Sequence, residues 1–300
     1  MRNIYNMLAL LLLTLLPMSN LYAQEDIKQE ITVQGGLGLS GLKYSLDNGD
    51  TKQKFGGSVG VGYNYFFTKN VGLLTGVELS FLSSEGSFAS LSDAYAAIDG
   101  DVEPFNFSYT VRNYEERQRA MYLNIPVMGQ YQMPVIGSHQ VYVALGVKIG
   151  IPLSAKYKTN GASLATSGFY PQYDANDPIN IDQAVSAGFG NFTSNPVDES
   201  IDLKVAFMLA AELGMKWYLN ESVSLYTGAY LDYGLNDVSK KHDKEFMIYD
   251  ALNPTRYVNN SLLEARYTPN GIGTHTVDMV DKIVPLSIGV KLRLAFKTSR

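Results

Sequence analysis

Cysteine is absent from the 300 residues, tryptophan occurs once and histidine three times. Without thiols the chain can form no disulfide framework, no thiolate metal centre, no cysteine nucleophile and no cysteine-borne lipid anchor. A second absence is any run of about 18 apolar residues, the length a membrane-crossing helix needs. The apolar stretch Leu8–Leu16 is too short for that role. With Arg2 before it and Leu21-Tyr22-Ala23 after it, Met1–Ala23 reads as a cleaved secretion signal. Bases are in deficit as well. Removing Met1–Ala23 takes one base, Arg2, and no acid, leaving 23 basic against 29 acidic residues and a net charge of −6. With no long basic tract to offset it, that balance argues against nucleic-acid binding.

The chain is rich instead in glycine (27), tyrosine (21) and phenylalanine (13), a composition that favours an aromatic-rich β protein. Alternation of apolar with small or polar residues marks eight strands, since a strand sends successive side chains to opposite faces. They are Ile31–Leu42, Phe55–Phe67, Val71–Leu82, Ala120–Gln132, Val141–Tyr157, Leu203–Leu219, Val223–Leu235 and Val284–Phe296. The last is the clearest: Val284, Leu286, Ile288, Val290, Leu292, Leu294 and Phe296 share one face, and Lys291 and Arg293 lie on the other. Each run is long enough to cross a bilayer, because a tilted membrane strand needs only about 9–11 residues.

Connection lengths segregate. Thr68–Asn70, Met133–Gln140 and Asn220–Ser222 are short turns at one end; long loops, the largest about 83–119, 158–202 and 236–282, lie at the other. Short periplasmic turns opposite long extracellular loops are the pattern of an outer-membrane barrel. Outward aromatics mark both ends: Tyr63, Tyr65, Phe67, Tyr131, Trp217 and Phe296 beside the short turns, and Phe55, Phe81, Tyr157 and Tyr233 opposite. Residues 24–300 therefore read as one all-β, eight-stranded, antiparallel up-and-down transmembrane barrel in the bacterial outer membrane.

Two short motifs carry a family likeness: Tyr122-Leu123-Asn124-Ile125-Pro126 entering the fourth strand, and Tyr233-Gly234-Leu235-Asn236-Asp237-Val238 leaving the seventh. With the Ala23-Gln24 boundary and the glycine-rich first strand, the chain resembles the small PorT-like outer-membrane barrels of the Bacteroidota. The resemblance implies an integral outer-membrane barrel, and its name-giving member is associated with type IX protein secretion.

Candidate chemistry is sparse. His139 falls in a short turn, the wrong side for the rim enzymes of the outer membrane, whereas His242 and His275 fall in the last loop near Ser239, Asp243 and Asp278. Nothing in their spacing supplies a nucleophile, a base and an orienting group together. No enzyme, no cofactor and no metal site is expected. Asp174, Asn176, Asp177 and Asp182 lack the glycine and closing glutamate of a calcium loop. Gly35-Gly36-Leu37-Gly38 lies inside an alternating strand with no helix after it, and reads as space-saving inside a narrow barrel. Phe105, Phe107, Tyr109, Phe169, Tyr170, Tyr173, Phe189 and Phe192 form either a loop core or a contact surface.

Two sets of charges stand out. Glu78, Lys148, Glu212, Asp232, Lys291 and Arg293 share the inward parity of their strands and are expected to pair in the lumen, because confined unpaired charge is costly. Lys43, Arg117 and Arg119 take the outward parity at the long-loop end, where lipopolysaccharide phosphates are the expected contact. The reading is a non-enzymatic barrel with a binding, assembly or secretion-accessory role through its loops and a possible protein partner there. The alternatives are a small-solute channel or transporter and, behind it, a lipid-modifying enzyme or protease.

Overall fold

The computed structural model describes residues 29–46, 49–134, 139–173, 179–240, 244–268 and 276–298. The signal segment Met1–Ala23 lies outside the described residues, as do His242, Asp243, His275, Asp174, Asn176 and Asp177.

Eight long strands carry the alternation: β1 Gln29–Lys43, β2 Phe55–Phe66, β3 Val71–Ile98, β4 Pro104–Pro134, β5 Gln140–Thr159, β6 Ala206–Tyr218, β7 Val223–Gly234 and β8 Val284–Thr298. Each pairs antiparallel with the next. β8 returns to β1 in continuous register, from Gln29 opposite Thr298 to Lys43 opposite Val284, and closes the ring. Closure is what lipid demands, since an unpaired backbone group there costs several kcal/mol. The outward side chains are large, apolar and uncovered: Leu37, Leu145, Leu213 and Val290 are each 60–64% exposed. Exposed aliphatics in an unbroken belt are the lipid face of such a barrel.

The short turns are built by side-chain caps. Thr68 Oγ1 accepts from the backbone N–H of Asn70 and Val71, and Asn220 Oδ1 accepts from those of Ser222 and Val223. Thr and Asn favour such turns because their short side chains reach the backbone two or three residues on.

The opposite end departs from the sequence reading. The segment expected as a loop at 83–119 is a β-hairpin. β3 and β4 stay paired far above the lipid belt, from Ser83 opposite Arg119 to Ile98 opposite Pro104. The segments 158–202 and 236–282 also contain strands. Ser163–Tyr170 pairs with the outer part of β4, Val197–Ser200 with the outer end of β5, and small sheets form around Ala265–Tyr267 and Met247–Ile248. Together they make a folded crown. Its interior holds Phe105, Phe107, Tyr109, Tyr170 and Phe189, all buried, joined by Phe88, Tyr114, Phe246 and Tyr257. Phe88 stacks on Tyr114 at 4.9 Å and Phe105 on Tyr170 at 5.1 Å. The loop aromatics are thus chiefly a core; Tyr173 remains exposed.

One irregularity corrects the parity assigned to β5. Met121 pairs with Ser154 and Tyr122 with Pro152, so Leu153 is an extra residue with no partner on β4. Such a bulge shifts the alternation by one. Below it Lys148 faces the lumen. Above it Ala155, Tyr157 and Thr159 are buried, and Lys156 and Lys158 point out. Tyr157, expected among the outward aromatics, therefore sits in the crown interior and donates to the Asn259 carbonyl at 2.8 Å. β6 likewise begins only at Ala206, and Leu203, expected to face lipid, is buried beneath the crown and bridges Ser239.

Candidate functional site

The inward faces of β3, β5, β6, β7 and β8 bring six charged side chains to mid-barrel, where an eight-stranded interior has room only for side chains. They form one chain of alternating sign. Arg293 donates to Glu212 Oε2, and Lys291 Nζ donates to Glu212 Oε1 at 2.8 Å and to Glu78 Oε2 at 3.0 Å. Lys148 Nζ then joins Glu78 Oε1 at 3.0 Å to Asp232 Oδ2 at 2.8 Å. Three bases meet three acids, and all six are buried. Neutral groups complete the set. Gln34 donates to Glu78 at 3.2 Å, Arg293 donates to Gln130 at 3.0 Å, and the Arg293 guanidinium lies over the Tyr142 and Tyr226 rings at 5.5 and 4.9 Å. Glycine makes room for the rings: a Cβ at Gly228 would lie 2.8 Å from the Tyr142 hydroxyl oxygen.

A second cluster closes the short-turn end. Lys216 Nζ donates to Glu30 Oε1 at 2.7 Å, Tyr226 donates to Glu30 Oε2 at 2.7 Å, and the ammonium is surrounded by the rings of Phe66, Tyr218 and Tyr226. Glu30 escaped the sequence reading because its strand was started at Ile31, two residues after its beginning at Gln29. The inward parity of Lys216 was readable, but its partner was not. His139 lies at this same end, against Trp217 with ring centres 4.8 Å apart.

At the opposite mouth the last loop is anchored on Glu116 of β4. Its carboxylate accepts from Ser261 Oγ at 2.6 Å, the Leu262 N–H at 3.0 Å, Tyr114 Oη at 2.8 Å and Gln118 Nε2 at 2.9 Å. Burial raises the Glu116 carboxyl above its ordinary value, against the lowering effect of those four donors. Asp93 makes a similar tie, accepting from Tyr109 Oη at 2.7 Å and the Thr268 N–H at 2.8 Å. Neither tie was foreseen, because each joins residues more than a hundred positions apart.

On the outer wall, Arg117 and Arg119 of β4 stand beside Lys156 and Lys158 of β5 around a cleft of about 830 Å³. Arg117 pairs with Glu115 at 2.9 Å and Glu85 at 3.3 Å. Lys43 is not part of this group; it lies over the Tyr233 ring at 5.9 Å, on the other side of β2 and β3. Among the described residues no group of three or more His, Asp or Glu is arranged to hold a metal ion.

Two solved structures are similar to this chain at low identity. Neisserial surface protein A is 10% identical with a TM-score of 0.34, over 89% of this chain and 97% of that one. Ail, the attachment invasion locus protein of Yersinia pestis, crystallised with the heparin analogue sucrose octasulfate, is 12% identical with a TM-score of 0.29, over 90% and 99%. No curated protein matches the chain. The model of one family, described as the outer membrane protein beta-barrel domain, matches residues 22–240, nearly the whole barrel short of its closing strand. The chain belongs to that family of outer-membrane β-barrels.

Proposed function

We propose that this outer-membrane barrel is neither an enzyme nor an open pore, and that it works by binding through its extracellular crown. The observation that carries the reading is the alternating chain from Arg293 to Asp232, which fills the mid-height lumen with paired charge. A water-filled channel would leave these groups hydrated and apart; here each base is within 3.0 Å of a carboxylate oxygen. The crown adds support. Its last loop roofs the mouth through Glu116 and Asp93, and its rigid core holds Ile98, Val102 and Leu252 exposed, available to a protein partner. Export through a cleaved signal at Met1–Ala23 and an assembly or secretion-accessory role of the PorT-like kind fit this reading.

Planar-bilayer recording of the purified protein tests it. The expected result is no steady conductance at moderate voltage. Large, stable open currents in the wild type would overturn the sealed lumen and return the protein to the channel class.

A further inference from the structure

We infer that the outer wall carries a lipid-phosphate site, built by the bulge at Leu153 and centred on Arg119 and Lys156, and that its ligand is lipopolysaccharide. The inference goes beyond the crown's role and does not depend on it.

Cross-strand register gives the layout of the site. Phe81, Met121 and Ser154 form one outward rung, with Gly57 opposite Phe81 on β2; Phe81 and, two residues further out on β2, Phe55 are exposed rings at this edge of the apolar belt. Two residues further out, a rise of about 7 Å along the strands, lies the rung Ser83, Arg119, Lys156 and Ser200. Two residues beyond that lies the rung Glu85, Arg117, Lys158 and Asp198. Belt aromatics settle at the lipid–water boundary, so the next rung stands at the height of lipid phosphates.

The two rungs differ in compensation. In the upper one a carboxylate stands at each end of the basic pair, and Arg117 bonds Glu85 directly. In the lower one Arg119 and Lys156 are direct cross-strand neighbours flanked by two serines. Like charges directly opposite on one sheet face destabilise it, and among the described residues that rung contains no acid. An external anion would. The guanidinium offers two parallel N–H groups to phosphate oxygens, and the ammonium adds a point charge beside it. Beside and beneath the bases the cleft is lined by Phe55, Phe81 and Met121, which suits an acyl chain and is of no use to a free ion. The ligand is therefore an amphiphile with phosphate at its head.

The bulge is what places Lys156 there. Without the extra residue Leu153, Lys156 and Lys158 would take the inward parity of Lys148.

The test is retention and titration of phosphorylated lipopolysaccharide by the folded protein in detergent, read by native mass spectrometry. Folding of every variant is checked by its mobility shift on unboiled gels. Arg119→Gln/Lys156→Gln is expected to bind at least tenfold more weakly than wild type, and Lys43→Gln to bind like wild type. Ser83→Glu, which adds an internal acid beside Arg119, is expected to weaken binding as well and serves if the double variant fails to fold. Enzymatically dephosphorylated lipopolysaccharide should bind at least tenfold more weakly. Raised salt should weaken the wild type more than the double variant. Unchanged binding by the double variant and Ser83→Glu, or equal binding of the dephosphorylated lipid, would overturn the site. Displacement of the lipid by inorganic phosphate at equal concentration would overturn the lipid as its ligand.

Discussion

Replacing Glu212 with alanine is the sharpest probe of the ion-paired lumen. Glu212 offers one oxygen to Lys291 and the other to Arg293, so its loss removes one negative charge from a balanced set and strands parts of two bases at once. Removing one partner of a buried ion pair typically costs about 3–5 kcal/mol, much of it the price of the charge left behind. The structure places this case near the lower figure. Lys291 keeps Glu78 at 3.0 Å and the Tyr230 ring at 5.1 Å; Arg293 keeps Gln130 at 3.0 Å and two tyrosine faces. Each such face contributes about 0.5–2 kcal/mol to holding a cation. A loss of about 3 kcal/mol is expected in the unfolding free energy, measured by urea titration of the detergent-folded protein with gel mobility as the readout. Glu212→Gln separates charge from packing, because it keeps the shape and one acceptor while removing the charge; it should still be clearly destabilised. A midpoint unchanged in both variants would refute the paired lumen.

Other outcomes follow from the crown and the bulge. Phe107→Ala should cost the crown about 3–5 kcal/mol, as truncation of a buried aromatic does, and expose it to protease while the barrel still shifts on gels; an intact, protease-resistant crown would contradict the core described above. Glu116→Gln should loosen the last loop, because an amide cannot accept from all four donors; an unsatisfied buried donor costs about 1–3 kcal/mol. Because burial raises the Glu116 carboxyl, the folded crown holds its proton to higher pH than the unfolded chain does. Its stability should accordingly fall as pH rises from about 4.5 through the folded value, and that slope should vanish in Glu116→Gln when proteolysis is followed across the range. Asp237, also near the crown base, does not confuse the window. Despite partial burial, the N–H groups of Ser239 and Ile283 hold its carboxyl below the ordinary range, so it stays ionised there. Deleting Leu153 should turn Lys156 and Lys158 inward into the crown core; a deletion variant with an undisturbed, protease-resistant crown would show that the bulge does not set their direction.

How far the sequence could be read depended on what sets each feature. Period-two alternation is local, so the eight strands, their closure into a barrel and the inward parity of Glu78, Lys148 and Lys291 were all legible from neighbours in the chain. The bulge was not. Val141–Tyr157 alternates without visible fault through Leu153, and only the pairing with Met121 and Tyr122 exposes the extra residue. Tyr157 was misassigned and Lys156 and Lys158 overlooked for that single reason. The hairpin at 83–119 was missed because its alternation is masked. Phe105, Phe107, Tyr109 and Val111 do alternate, but Ser and Ala occupy the facing strand at Ala89, Ser90, Ser92, Ala94 and Ala96, which lowers the contrast that marks a strand. Ties such as Glu116 to Ser261 depend on loop paths that no local rule specifies.

The roof of the crown belongs to the connection between β7 and β8, and that has a consequence for the order of assembly. Phe246, Tyr257, Leu262 and Leu263, all buried in the crown, enter with the segment that ends in β8, and β8 is the strand that seals against β1. A chain whose last hairpin has not docked therefore lacks both its seam and its roof, and the apolar pocket around Phe88, Phe107 and Tyr114 stands open to water. Closure of the membrane ring and burial of the crown core are thereby tied to the same stretch of chain, so an unsealed barrel also has an incomplete crown. An open roof pocket is itself a readable state: protease sensitivity at the crown marks a barrel whose seam is still open.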